Sequence, residues 1–166
     1  MRIKDQSGMT MYEILVIIGL LGIFSVYSVW HVTNVAHRQR AKDLVRVSDL
    51  SLISEALEEY YADYQILPGT AGQVFQSILT TEGQPCVDCL SLENGWLPNQ
   101  LTNYLEKFPV DPDNQDGLIY RYTHNGSSYL LDCVLELPAN VEKMSNDGGL
   151  SSDHYELGSG VGVLSF

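Results

Sequence analysis

Residues 9–30 read MTMYEILVIIGLLGIFSVYSVW, and from Ile14 to Trp30 they contain no charge and no proline. A helix of about 22 residues spans about 33 Å, the thickness of a bilayer's hydrocarbon core. One carboxylate, Glu13, lies inside the stretch. An unpaired charge in hydrocarbon costs roughly 2.5 kcal/mol or more. Two readings of the stretch compete. A secretory signal peptide has a short apolar region and small residues at its cleavage site. This stretch is too long for that and runs into Val29-Trp30-His31-Val32. The other reading is a helix that is retained. Arg2 and Lys4 precede it, as the positive-inside tendency asks, but Arg38, Arg40 and Lys42 follow it, so charge bias alone does not orient it.

The helical pattern continues past the apolar run. No Gly or Pro occurs between Ile23 and Leu67. Leu50, Ile53, Leu57, Tyr60 and Tyr64 recur at three- and four-residue steps, and Ser48, Asp49, Glu55, Glu58 and Asp63 lie mostly off that stripe. The spacing predicts one helix from about Thr10 to Tyr64, apolar all round in its first half and amphipathic in its second, ended by Leu67-Pro68-Gly69.

The 166-residue chain carries a formal charge of −12. Phosphate binding needs clustered Lys and Arg, so this acidity argues against nucleic acid as a partner. It suits a soluble exported surface and can attract calcium. Beyond residue 64 only Lys107, Arg121 and Lys143 are basic, so the downstream part is the acidic part. There are three cysteines, Cys86, Cys89 and Cys133. One disulfide plus one free thiol is the simplest account in an oxidising compartment. The pairing stays open. A lone C-V-D-C is a weak redox signal, and no second pair of ligands completes a zinc site.

Downstream of the helix, residues 73–80 read as a short helix, and so does NQLTNYLEKF before Pro109. The strongest β pattern is Leu118 to His124 and Ser127 to Glu136 around Asn125-Gly126, a pair that favours a type I′ turn. Tyr129, Leu131, Cys133 and Leu135 fall on one face of the second strand, which points Cys133 into the core. The expected class is α+β: a long N-terminal helix packed on a small antiparallel sheet.

Gly8-Met9-Thr10-Met11-Tyr12-Glu13, with a short basic leader before it and an apolar helix after it, resembles the N-terminus of type IV pilins and of the pseudopilins of type II secretion. The family pattern is Gly, a bulky apolar residue, Thr, two further residues and Glu. The resemblance implies a leader at 1–8, a long helix at 9–64 whose first part (9–30) spans the membrane or forms a filament core, and a globular domain at 65–166. It implies that a prepilin peptidase cuts between Gly8 and Met9 and methylates the new amine of Met9. Subunits then leave the inner membrane at an assembly platform and polymerise through their helices, with Thr10 and Glu13 in the assembly region. The Glu13 carboxylate would neutralise the N-terminal ammonium of a neighbouring subunit and set axial register. The opposing reading is a carboxylate near the membrane interface, protonated or snorkelling. Gly22 is a place where some family helices loosen, but Trp30 stands where many members carry a proline, which puts such loosening in doubt.

The downstream half is also similar to the major pseudopilin, through Phe108-Pro109-Val110-Asp111-Pro112, Tyr120-Arg121-Tyr122 and a Gly/Asp-rich C-terminal loop. The family's Asp-Pro-Trp-Gly is Asp111-Pro112-Asp113-Asn114 here. In the major pseudopilin a loop at the place of residues 144–153, MSNDGGLSSD here, binds calcium, which points to Asn146, Asp147, Ser151 and Asp153 as oxygen donors. An ordinary turn has the same composition. A second loop, DPDNQDG at 111–117, has alternating oxygen ligands but lacks the glycine of an EF-hand loop. No catalytic motif occurs: there is no G-x-S-x-G, P-loop or HExxH, and the four histidines are scattered.

Three functions are therefore in play. The first is a pilus or pseudopilus subunit that works by polymerising. The second is a membrane-tethered domain that takes up calcium or another ligand as a monomer. The third is a CxxC thiol oxidoreductase. A mere tether gains nothing from Glu13.

Overall fold

The computed structural model describes residues 9–166. The chain forms two compact units, Met1–Arg38 and Gln39–Phe166, and helix α1 (Met11–Tyr64, 54 residues) contributes to both. The helix is one unbroken element, as the absence of internal Gly and Pro after Gly22 predicts.

In the first unit, the apolar side chains from Met9 to Trp30 are exposed. The few hydroxyls there turn back onto their own helix. Ser25 donates to the Leu21 carbonyl (2.7 Å), Ser28 to that of Phe24 (2.8 Å) and Thr33 to that of Val29 (3.1 Å). That leaves the outer surface of the stretch apolar, as a bilayer requires. This helix is long and apolar enough to cross a membrane.

In the second unit, residues 39–64 of α1 bury the predicted stripe of Leu50, Ile53, Leu57 and Tyr60, together with Ala56. Tyr64 departs from it: the ring is exposed and stacks on Tyr60 at 4.6 Å. The helix ends at Tyr64, where the sequence predicts its end. Gln65 takes a left-handed φ of 57°, its N–H donates to the Tyr61 carbonyl at 2.8 Å, and its side-chain amide reaches the carbonyls of Tyr61 and Ala62. A residue other than Gly is tolerated at this C-terminal position because its own side chain satisfies the orphan carbonyls.

The sheet has four antiparallel strands in the order β1 (Phe75–Gln76), β2 (Arg121–His124), β3 (Tyr129–Cys133), β4 (Tyr155–Leu157). Residues 73–80 are thus not the expected short helix. Phe75 pairs with Tyr122 and Gln76 with Arg121, so a partner strand overrides the local pattern. NQLTNYLEKF shrinks to a 3-10 turn at Asn99–Asn103. The β2–β3 connection is at the expected place but shifted by one residue. Gly126 has the positive φ, 102°, and Asn125 does not. The Asn125 side chain instead accepts from the N–H groups of Ser127 and Ser128. Helix α2 (Val141–Ser145) precedes β4.

Tyr129, Leu131, Cys133 and Leu135 join Leu50, Ile53, Leu57, Trp96, Leu97 and Phe108 in one core. The other face of β3 is covered too: Leu130 and Asp132 are buried. Asp132 is paired with Arg121, whose guanidinium lies 4.4 Å from the Phe166 ring. The class is α+β, as expected.

Candidate functional site

The N-terminal candidates are Met9, Thr10 and Glu13; Gly8 and the rest of the 1–8 leader lie outside the described residues. The Thr10 backbone N–H donates to Glu13 Oε2 at 2.7 Å, and its hydroxyl donates to the same oxygen at 3.0 Å. The Glu13 N–H in turn donates to Thr10 Oγ1 at 3.3 Å. This is a reciprocal capping box, with Thr10 before the first turn and Glu13 three residues on. It gives the carboxylate a task inside a single chain. The Thr-x-x-Glu spacing was the visible signal for it. Gly22 sits within the unbroken helix, and a side chain added there would meet nothing within 4 Å.

In the second unit, Arg46 is a fully buried charge, 0 % exposed. It donates to Asp111 through Nε (2.7 Å) and Nη2 (3.1 Å), to Asp43 (2.9 Å) and Glu136 (2.7 Å) through Nη1, and to Asp113 (3.1 Å). Lys42 adds a second bond to Asp113 at 2.7 Å. Burial opposes the Arg46 charge, but the bonds from Asp111, Glu136 and Asp43 outweigh it and raise its pKa. The Lys42 hydrogen bond holds the Asp113 carboxyl below its ordinary value. Asp43 also accepts from the N–H groups of Glu136 and Leu137 and from Asn140 Nδ2. The hub therefore ties α1 to the loop before β2 and to the chain after β3. Asp111 and Asp113, two of the oxygen ligands in the 111–117 loop, are committed to this hub, and Asn114 pairs with Ser77.

The 144–153 loop is organised by its own polar groups. Asp147 accepts from the N–H of Gly149 (2.8 Å) and that of Glu156 (2.7 Å), one on each carboxylate oxygen. Glu156, which the loop sequence alone did not single out, accepts from the Leu150 N–H at 2.6 Å. Ser151 Oγ meets His154 Nδ1 at 3.1 Å, and Asp153 meets the Ser152 hydroxyl. A Cβ at Gly149 would meet the Glu156 carboxylate, so a side chain there would have to move it. Among the described residues no group of three or more His, Cys, Asp or Glu side chains is set to hold a metal ion. Each Asp147 oxygen accepts one N–H and keeps a further lone pair.

Cys86 and Cys89 are joined, with Cα atoms 5.2 Å apart, and Cys133 is a buried free thiol. Burial pushes the Cys133 thiol up, away from the reactive thiolate. Tyr122 and His124 stack at 5.7 Å on β2. His124 Nδ1 accepts from the Gly126 N–H at 3.1 Å, which places its proton on Nε2, a buried atom with no partner.

No family model, curated protein or solved structure matches the chain.

Proposed function

We propose that this chain is the subunit of a type IV pilus or secretion pseudopilus, a structural protein that polymerises through its N-terminal helix. The observation that carries the reading is residues 9–30: an unpaired helix, apolar all round, with a single carboxylate near its start. In this reading the helix crosses the inner membrane once before assembly. A prepilin peptidase cuts after Gly8, and the methylated Met9 amine of one subunit meets Glu13 of the next. The globular domain then lines a filament outside the cytoplasm.

A second reading is favoured by the capping box: Glu13 serves only to start the helix of a tethered monomer. Substitution separates the two. Glu13→Gln keeps the capping geometry, because Gln serves equally at that place, and removes the charge. Glu13→Val removes both. If charge sets register, both variants insert in the membrane and neither assembles. Filaments from Glu13→Gln would refute the charge role. Mass spectrometry of assembled material should find a chain beginning at methylated Met9, and an intact Met1 would contradict the processing step.

Calcium remains a separate proposal at Asn146, Asp147, Ser151 and Asp153. Added calcium should raise the melting temperature of the full chain in detergent, and Asp147→Asn should abolish the rise. An unchanged melting temperature would remove the site.

A further inference from the structure

Within the second unit, Arg40, Leu44 and Val47 of α1 face Leu137, Asn140 and Lys143 across a cleft of about 420 Å³. Leu44, Val47, Leu137 and Ala139 give its lining an apolar part, and Leu44 is 65 % exposed. Its rim carries two cations. Among the described residues, Lys42, Arg46 and Arg121 make the ion pairs, and Arg40 and Lys143 have no carboxylate partner. Lys143 lies 4.6 Å from the centre of the Tyr155 ring, a contact that holds the amine in place. The acid at the cleft's base, Asp43, is buried and already bonded to Arg46, to two backbone N–H groups and to Asn140. The cleft thus presents positive charge above exposed hydrocarbon.

The complementary surface lies on the same chain. Leu52, Glu55 and Glu59 stand at i, i+3 and i+7 on the solvent side of α1, and all three are exposed. Glu58 and Asp63 extend the ridge and accept only the Tyr129 and Tyr104 hydroxyls. No Lys or Arg pairs with any of these acids among the described residues.

We infer that the Arg40–Lys143 cleft receives the Leu52–Glu55–Glu59 ridge of a second copy of this chain. Leu52 meets the exposed Leu44, and the two carboxylates meet the two cations. The patches differ, so the contact is heterologous and propagates from copy to copy instead of closing a dimer. It rests on the filament reading and names a contact for it outside the apolar helix.

The full chain in phosphatidylcholine vesicles tests this. An equal mixture of 15N-labelled and unlabelled protein is treated with a zero-length carbodiimide, and peptides are read by mass spectrometry. Amides joining Lys143 of one isotope to Glu55 or Glu59 of the other are expected. Arg40→Glu should reduce them about tenfold, since it sets like charges together at the contact. Arg40→Glu combined with Glu59→Arg should restore the Lys143–Glu55 amide. Oligomers held by other cross-links but lacking these amides would overturn the contact and leave the filament reading standing. Absence of any oligomer would overturn the contact; the filament reading, which rests on cleavage after Gly8, is judged by the Glu13 variants instead. Amides that vanish once phosphatidylglycerol replaces part of the lipid would assign the cleft to an anionic headgroup and overturn the proposal.

Discussion

Arg46 and His124 show how differently two buried basic side chains can be treated. Arg46 is matched by acids on every side, so its removal strands Asp43 and Asp111 inside the protein. Taking one partner from a buried pair costs about 3–5 kcal/mol. Arg46→Met should lower the unfolding free energy by that amount in urea denaturation. Lys at the same place cannot reproduce the two-pronged bond to Asp111. His124 has no acid to offset its charge, and burial holds its imidazole below the ordinary value. The unfolded chain therefore takes up the proton first. Stability from this residue is full above about pH 6.5 and is lost as pH falls below it. His124→Phe keeps the ring on Tyr122 and should flatten the slope of stability against pH between pH 5 and 7. An unchanged slope would show that other groups set it. Neither residue's role was legible beforehand. Of Arg46's partners only Asp43 is near it in the chain; Asp111 and Glu136 lie 65 and 90 positions away. Thr10 and Glu13 were legible as a pair at capping-box spacing, but family resemblance drew attention to the charge alone.

Among the elements, α1 was the most readable, because the absence of Gly and Pro and the Leu50–Ile53–Leu57–Tyr60 stripe are local signals. The 75–76 strand was not, since only pairing with Tyr122 makes it a strand. The hairpin was legible to within one residue. Its Asn side chain replaces the backbone geometry that Asn-Gly usually adopts. The Cys86–Cys89 staple closes a very short loop. Loop-closure entropy assigns such a ring about 2 kcal/mol, less than a bridge to Cys133 would give. Cys86→Ser with Cys89→Ser should cost about that much in chemical denaturation and leave the fold intact. A loss several times larger would mean that the 79–92 loop helps hold the core.

At the scale of the whole molecule, charge and hydrocarbon are segregated along the chain. An apolar N-terminal helix is followed by a domain whose acids outnumber its bases. This division was readable from the sequence. The pairing of Lys42 and Arg46 with Asp111, Asp113 and Glu136 was not, because those acids lie far along the chain. A polymer built on this plan combines a salt-insensitive apolar contact with a salt-sensitive polar one. Raising ionic strength should loosen the second first, so axial order in filaments should degrade before the filaments themselves dissolve. Electron microscopy across a salt series checks this.

The sheet's two margins are short, two residues in β1 and three in β4. A long open margin invites further strands to add from neighbouring molecules, and short margins deny them a template. A protein held at filament density brings many such sheets side by side. Its short margins therefore oppose edge-to-edge addition, and in the proposed filament they would leave growth to helix packing and side-chain contacts.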